Sequence, residues 1–302
     1  MRTGLIAGAA LATLLALGAT TMIPAGIAAP PPRPDPFVTT SWLAGHLNDP
    51  DLVLLHVGDE TRYKAAHIPG AHFVRLADLS VSTNGRTLEM PVAPDLRRRL
   101  QALGIGDRSR VVVYFDEDWV SPATRVLFTL QTAGLGSRAE LLDGGMVKWR
   151  SERRAVTARI AAAPPGALAA LGVRPTIVDA AFVRAHAGQT GYMLIDARAP
   201  VFYTGIEAGG PMNHRLNGHI PGARSLPFTS VTNDDLTFKK PAELFALFRN
   251  AGMRPGDRVI VYCHIGQQGT AVVLAARAAG IDALLYDGSF EDWALRGLPV
   301  EK

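Results

Sequence analysis

The segment Ala66-His67-Ile68-Pro69-Gly70-Ala71 returns 152 residues further along the chain as Gly218-His219-Ile220-Pro221-Gly222-Ala223. Two more pairs of segments repeat in the same order: residues 111–114 with 259–262, and Asp143-Gly144 with Asp287-Gly288. Their spacings are 148 and 144 residues, so the insertions and deletions between the two copies are small. Three matches in one order predict a duplicated domain.

Short runs of β-branched and other apolar residues alternate with helix-like segments in each copy. Strands are predicted at residues 52–57, 111–114, 140–142, 193–195, 259–262 and 283–286, and helices at residues 94–103, 241–251 and 270–279. Strands that alternate with helices form a parallel sheet covered by helices on both faces. The sequence therefore predicts an α/β protein of two such domains, at residues 37–159 and 176–302. Residues 160–175, rich in Ala, Pro and Gly, are the predicted linker.

The first 28 residues have the pattern of a cleaved secretory signal peptide. Arg2 precedes an apolar, Ala/Leu-rich run over residues 4–19, and small residues follow as far as Ala29. That run is shorter than the ~20 residues that an uncleaved membrane anchor needs. A Pro-rich leader at residues 29–36 comes next. We therefore expect a periplasmic or secreted protein with no membrane attachment after cleavage.

Composition excludes several classes of partner. The 302 residues include 31 Lys and Arg and 27 Asp and Glu, for a net charge of +4. No long basic run and no alternation of basic and aromatic residues occurs, so we expect no nucleic-acid partner. The mild positive charge suits a small anionic substrate. The sequence shows neither a His/Cys/Asp/Glu set with metal-ligand spacing nor a Gly-rich phosphate loop, so no metal and no organic cofactor is expected.

Cys263 is the only cysteine of the chain, so no internal disulfide can form. It follows the predicted strand at residues 259–262 and precedes a helix that opens at Gly269-Thr270. Ligands of open α/β sheets bind at the carboxyl ends of strands, and the amides of a helix N-terminus attract anions. A thiol in that place ionises readily and is reactive. The alternative interpretation is an inert, buried cysteine.

With these motifs, the chain resembles the tandem-domain rhodaneses, the thiosulfate and 3-mercaptopyruvate sulfurtransferases. The resemblance depends on the two His-Ile-Pro-Gly-Ala segments, the strand that ends at Cys263 with its six-residue loop, the opening Val38-Thr39-Thr40-Ser41-Trp42-Leu43, and Asp287-Gly288-Ser289-Phe290-Glu291-Asp292-Trp293. It covers essentially the whole mature sequence. It implies two rhodanese-like domains, and sulfur transfer through a persulfide on Cys263.

The resemblance also implies roles for individual residues. Cys263 attacks the sulfane sulfur of a small, thiosulfate-like or 3-mercaptopyruvate-like anion, and a nucleophilic acceptor, either a small molecule or a partner protein, then removes that sulfur. The donor is expected to be held by His264, Ile265, Gly266, Gln267, Gln268, Gly269, Thr270 and Arg198. Asp196 and His219 are interpreted as structural residues near the site, since His219 belongs to the motif that both copies share.

The two copies differ where the chemistry is expected. In the first copy Phe115 stands at the place of Cys263, and His56-Val57-Gly58 stand at the place of Asp196-Ala197-Arg198. The first copy is therefore predicted to be non-catalytic. In the second copy, Phe202 occupies a place where similar enzymes carry a basic residue, and anion binding would depend on the loop amides, Arg198 and Arg215.

Two other functions compete with turnover of sulfur. A cysteine phosphatase on a similar fold needs a longer loop closed by an arginine that clamps phosphate, whereas Gly269 and Thr270 stand at that place. The sequence disfavours this function. A persulfide carrier, which loads sulfur once and delivers it to a periplasmic protein, also needs a reactive Cys263 and is the alternative to an enzyme.

Overall fold

Two separate five-stranded parallel sheets form the framework of the protein. The computed structural model describes Met1 and residues 35–116, 119–162, 164–208 and 216–302. The predicted signal peptide and nearly all of the Pro-rich leader lie outside these residues, as does Arg215. The two parallel sheets, each with helices on both faces, confirm the predicted fold class.

The first domain begins at β1 and ends at α5. Its elements are β1 (Phe37–Val38), α1 (Thr40–His46), β2 (Leu52–Val57), α2 (Glu60–Ala65), β3 (Ala71–Val74), β4 (Val81–Thr83), β5 (Arg86–Glu89), α3 (Ala93–Ala102), β6 (Arg110–Phe115), α4 (Ser121–Leu130), β7 (Ala139–Leu142) and α5 (Gly145–Ser151). The sheet order is β1-β7-β6-β2-β3, and β4 with β5 forms a separate antiparallel hairpin.

The second domain repeats this plan strand for strand. Its elements are β8 (Ile177–Val178), α6 (Ala180–His186), β9 (Tyr192–Asp196), α7 (Pro200–Tyr203), β10 (Arg224–Ser225), α8 (Pro241–Asn250), β11 (Arg258–Tyr262), α9 (Gly269–Ala278), β12 (Ala283–Tyr286) and α10 (Ser289–Leu295). Its sheet order, β8-β12-β11-β9-β10, matches that of the first domain position by position. The repeat in the sequence is therefore a repeat in the fold.

The central strands are mostly apolar because helices cover both faces of each sheet, and His56 of β2 and Asp196 of β9 are their buried polar exceptions. Along β6, Val111, Val113 and Phe115 enter one hydrophobic cluster, whereas Val112 and Tyr114 enter a second cluster on the opposite face. This alternation is the two-residue period of a strand. It explains why the central strands lack the polar positions of a half-exposed sheet.

Helices α4 and α9 pack against each other and join the two domains through a shared hydrophobic core. Three hydrogen bonds cross between them: Ser121 with Gln267 at 3.0 Å, Thr124 with Thr270 at 2.8 Å, and Gln131 with Arg277 at 2.8 Å. The two residues of each pair are 146 positions apart in the chain. This spacing lies between the 148 residues that separate the repeated strands before the helices and the 144 residues that separate the Asp-Gly segments after them. Equivalent residues meet only at a two-fold axis, so a local two-fold axis lies between α4 and α9.

The predicted linker follows the surface of the first domain. The amide of Gly166 donates to the Gln101 carbonyl at 2.8 Å, the Ala167 carbonyl accepts from the Asp107 amide at 2.9 Å, and Leu168 is buried. These contacts order the segment on the first domain next to α3. None of the helices in the described ranges is both long and apolar enough to cross a membrane.

Candidate active site

Cys263 lies at the carboxyl end of β11, the central strand of the second sheet, and is fully buried. Five residues separate it from the start of α9. Its own amide donates to the Ser289 hydroxyl at 3.1 Å, and that hydroxyl donates to the Tyr286 carbonyl at 2.9 Å. The thiol is thus fixed between a strand end, a helix start and the beginning of α10.

Carbonyl groups of the Cys263 loop are held by donors outside it. The Cys263 and His264 carbonyls accept from the amides of Phe290 and Glu291, each at 3.0 Å. The Gly266 carbonyl accepts from Arg125 of the first domain at 3.0 Å. The Gln267 carbonyl accepts from the Thr270 amide and from its hydroxyl. The loop is therefore anchored through its oxygens by both domains.

The amides of the same loop have the opposite arrangement. In a trans peptide the N–H points away from the preceding carbonyl, so carbonyls anchored outside the loop turn the following N–H groups to the other side. Within the described part of the chain, no acceptor takes the N–H groups of Ile265, Gly266, Gln267 or Gln268. Unpaired amides in a folded loop are uncommon, and several together form a binding site for an anion.

Gly266 permits this turn because its φ is +78°, in the left-handed region. A Cβ added there would lie 2.5 Å from the Asp287 carbonyl oxygen and 2.8 Å from an Asp287 carboxylate oxygen. Both the backbone conformation and the space therefore require glycine.

The remaining predicted loop residues lie together at the same edge of the sheet. His264 is buried, and its ring meets Phe202 edge to face at 4.6 Å between centroids. The Gln267 side chain donates to Ser121, and Thr270 is buried against Thr124. Ile265 and Gln268 are half-buried, and Gly269 is the first residue of α9.

Asp196 and Arg198 form a buried pair at the end of β9. The Asp196 carboxylate accepts from the Arg198 amide at 2.9 Å, from its guanidinium and, at 2.7 Å, from the Tyr262 hydroxyl. Burial raises the pKa of Tyr262 well above its usual value, so the phenol keeps the proton that it donates. Arg198 is 2% exposed and also donates to the Gly218 carbonyl at 2.7 Å. Its contacts favour a structural role, and donor binding by Arg198 stays a prediction.

His219 contacts backbone rather than the loop. Its Nδ1 lies 2.9 Å from the Tyr203 carbonyl oxygen, and its ring stacks on Tyr203. The matching histidine of the first domain, His67, makes the same pair of contacts with Tyr63. Equal geometry in both copies is what a structural histidine would show.

Sequence reasoning missed two residues that hold the loop. Ser289 has a φ of +53°, a conformation that a non-glycine residue adopts only at a cost. The equivalent residue of the first domain is Gly145, with a φ of +52°. The replacement of this glycine by a serine directly after the repeated Asp-Gly was therefore the signal in the sequence for Ser289. Arg125 has no such signal, because it belongs to the other copy and reaches the loop only in the folded protein.

The comparisons with known proteins agree with this geometry. A sequence profile described as "Rhodanese-like domain" matches residues 39–152 and 179–296, most of both domains. The chain belongs to the rhodanese-like family. The two matches begin directly after β1 and β8 and end directly after α5 and α10.

Relatives of this rhodanese-like chain are sulfur-handling proteins. A Pseudomonas aeruginosa protein named "Probable 3-mercaptopyruvate sulfurtransferase" is 34% identical over 276 residues, which cover 85% of this chain and 94% of the relative. A Thermus thermophilus protein named sulfur carrier protein TtuD is 28% identical over 89% of this chain and 98% of its own length. The crystal structure of SseA from Escherichia coli, described as a 3-mercaptopyruvate sulfotransferase, has a TM-score of 0.73 at 25% identity and covers 84% of this chain and 98% of that one.

Proposed function

We propose that this sulfurtransferase moves a sulfane sulfur from a small anionic donor to a nucleophilic acceptor through a persulfide on Cys263. In the first step the Cys263 thiolate attacks the donor sulfur. A bond between the two sulfurs forms, the bond from that sulfur to the rest of the donor breaks, and its electron pair leaves with the donor remainder. In the second step the acceptor attacks the outer sulfur and regenerates the thiolate.

The observation that carries this proposal is the set of amides in the Cys263 loop that take no acceptor within the described residues. A persulfide anion and an anionic donor both need hydrogen-bond donors in a site from which water is largely excluded. Amides already fixed by their carbonyl anchors supply them without rearrangement. The loop thus needs no cation of its own beyond the dipole at the start of α9.

A cavity of about 220 Å³ between the domains supports access for a small donor. Trp119 and Val120 of the first domain and Phe228 of the second are among its lining residues, and the Trp119 and Phe228 rings meet edge to face. Val120 precedes Ser121, which contacts Gln267 of the loop. Half of the lining residues that the structure describes are apolar and half are polar, with Asp234 as their one carboxylate, so the cavity fits a small donor by its size rather than by its charge.

The second candidate is a persulfide carrier, which the similarity to a sulfur carrier protein favours. A steady-state assay in which cyanide and either thiosulfate or 3-mercaptopyruvate are both varied separates the two. An enzyme forms thiocyanate in many equivalents per protein, with parallel lines in the double-reciprocal plots of a two-step cycle. A carrier keeps one equivalent of sulfur on Cys263 in the presence of cyanide, as mass spectrometry would show, and releases it only when a partner protein is added.

We further propose export, based on the composition of residues 1–28. Expression of the full chain in a bacterial host should give a shorter protein in the periplasmic fraction. N-terminal sequencing should begin at or near Ala29. A full-length chain confined to the cytoplasm would contradict this assignment.

A further inference from the structure

We propose that Arg125, which belongs to the non-catalytic domain, is a positioning residue that orients the amides of the Cys263 loop. The inference rests on the proposed function of that loop as an anion cradle. It assigns the first domain a direct part in the reaction, through one guanidinium.

The Arg125 side chain is 2% exposed and is fixed from both domains. One terminal nitrogen donates to the Gly266 carbonyl at 3.0 Å and to the Asp287 carboxylate. The other nitrogen donates to the Leu88 carbonyl and, at 3.3 Å, to the second Asp287 oxygen. A planar guanidinium can make all four bonds at once only in one orientation, so its position is closely determined.

Fixing the Gly266 carbonyl fixes the peptide that follows it. Because that peptide is trans and planar, the Gln267 N–H must point away from Arg125. The first half of the loop is anchored by Phe290 and Glu291 of its own domain, whereas the Gly266 carbonyl is anchored by Arg125. Without Arg125, the flexible glycine peptide could rotate and present its carbonyl to the anion.

The arrangement exists on one side of the two-fold axis only. At the 146-residue spacing of the paired helices, the equivalent of Arg125 is Ala271, and at the 144-residue spacing of the Asp-Gly segments, the equivalent of Asp287 is Asp143. Asp143 accepts from the amide of Phe238 at 2.8 Å, as Asp287 accepts from that of Met90 at 3.3 Å. Both carboxylates therefore fasten the domains, but an arginine is added only beside the loop that contains the cysteine.

The test compares three variants with the wild-type full chain. Arg125→Lys keeps a positive charge beside Asp287 but lacks the planar guanidinium with its two terminal nitrogens. The double variant Arg125→Met, Asp287→Asn removes the bond to Gly266 without leaving a buried carboxylate unpaired. Gln131→Ala removes an interdomain hydrogen bond at the far end of the same helix pair and serves as the control.

The main readout is the ratio of the alkylation rates of Cys263 by iodoacetate and by iodoacetamide. Both reagents attack the same thiolate, so the ratio is independent of how much thiolate is present, and it reports attraction of an anion. Sulfur loading from thiosulfate is measured in parallel by mass spectrometry. We expect the wild-type ratio to exceed that of free cysteine, and to fall about tenfold in the double variant, the worth of one charge-assisted hydrogen bond.

Sulfur loading of the double variant should fall by a similar factor. In both readouts Arg125→Lys should lie between wild type and the double variant, and Gln131→Ala should match wild type. A folded double variant with unchanged ratio and loading would show that Arg125 only fastens the domains; if the double variant does not fold, Arg125→Lys decides in the same way. A wild-type ratio no higher than that of free cysteine would also overturn the inference. If wild type loads no sulfur but its ratio still depends on Arg125, the proposed function fails and the positioning role stands.

Discussion

The ends of β2 and β9 carry acidic and basic side chains in opposite order. In the second domain an acidic residue, Asp196, ends the strand and is paired with Arg198. In the first domain a base, His56, stands at the matching place, and its Nε2 lies 3.1 Å from the carboxylate of Asp116. A tyrosine on the neighbouring strand supports each group, because the Tyr262 hydroxyl contacts Asp196 at 2.7 Å and the Tyr114 hydroxyl contacts His56 at 2.8 Å.

We propose that this reversal determines which loop can bind an anion. In the first domain a carboxylate, Asp116, lies in the loop itself, over Gly58, where any side chain would collide with it. The Phe115 ring fills the space beside Gly145. In the second domain the Asp196 carboxylate lies at the strand end and pairs with Arg198, and the loop presents amides. On this proposal, the position of one carboxylate at the strand end determines whether the neighbouring loop can bind an anion.

The largest effect is expected from Cys263→Ser. This variant removes the thiol from the second loop, and the first loop, with Phe115 at the matching place, has none either. A hydroxyl cannot form a persulfide and is far less nucleophilic, so all sulfur transfer should be lost while the fold is kept. Thiocyanate formation measured beside the thermal melt tests this. Residual activity above about a few per cent of wild type would place the chemistry on another residue.

Gly266→Ala should come next, because the added Cβ would meet Asp287 while φ stays at +78°. We expect sulfur loading to fall by about 100-fold and the free energy of unfolding to drop by ~2 kcal/mol. The matched control is Gly45→Ala in α1, where nothing lies within 4 Å of the new Cβ. That control should keep full activity and be equally stable or slightly more so. Equal sulfur loading and equal stability of the two variants would contradict the requirement for glycine at residue 266.

The paired carboxylates offer a direct test of asymmetry. Asp287→Asn leaves Arg125 without its charge partner and should cost about 3 kcal/mol. Burial raises the pKa of Asp143, so the folded state keeps this proton to higher pH than the unfolded chain. Asp143 therefore lowers stability as pH rises from its unfolded value, about 3.9, through its folded value. Asp143→Asn should remove that dependence and be neutral or stabilising near pH 7.

Chemical denaturation at several pH values measures both carboxylate variants. Similar losses of stability for the two variants at neutral pH would mean that the arginine adds nothing to the second site.

A smaller effect is expected from Phe202→Arg. The first domain has Arg62 at the corresponding place of α2, one residue before the stacked tyrosine, so this variant moves the residue of one copy into the other. A permanent charge beside His264 should lower KM for thiosulfate about tenfold, as one partly buried charge-assisted contact would. Steady-state kinetics with thiosulfate test this, and Phe202→Leu is the control for loss of the ring. An unchanged KM would move the anion site away from Phe202.

No gain is expected from Phe115→Cys. Asp116 holds negative charge in that loop, which disfavours a thiolate and repels an anionic donor. Mass spectrometry after thiosulfate treatment should find added sulfur on Cys263 alone. Persulfide on the new cysteine would show that the first loop is not closed to anions.

The fold was largely predictable because the strands of a parallel sheet that is covered on both faces are short apolar runs, which can be recognised in the sequence. Residues 52–57 and 283–286 were predicted as strands with the bounds that the structure has, and the helix predicted at 94–103 is Ala93–Ala102. The edge strands β1, β8 and β10 were not predicted, because two residues are too few to show a period, and β3, with a histidine among its four residues, was not predicted either. The position of Cys263 at a strand end followed from the same local pattern.

The contacts that hold the site were less accessible to sequence reasoning. Arg198 was expected to face the donor, but whether a buried arginine meets a substrate or its neighbour Asp196 depends on side-chain packing. Arg125 lies 138 residues before Cys263 and reaches it only because α4 and α9 pack about a two-fold axis. Long-range packing of this kind leaves no trace in spacing or composition.

The two-fold pairing of α4 with α9 is the geometry of a closed dimer, here made by halves of one chain. In a dimer of identical subunits every substitution occurs twice, and an arginine added for one loop would also appear beside the other. A covalent connection removes that constraint and keeps each half at a high effective concentration near its mate. Equivalent positions are then free to diverge, as Arg125 and Ala271 have done. The peptide connection is what lets one half specialise in supporting the other.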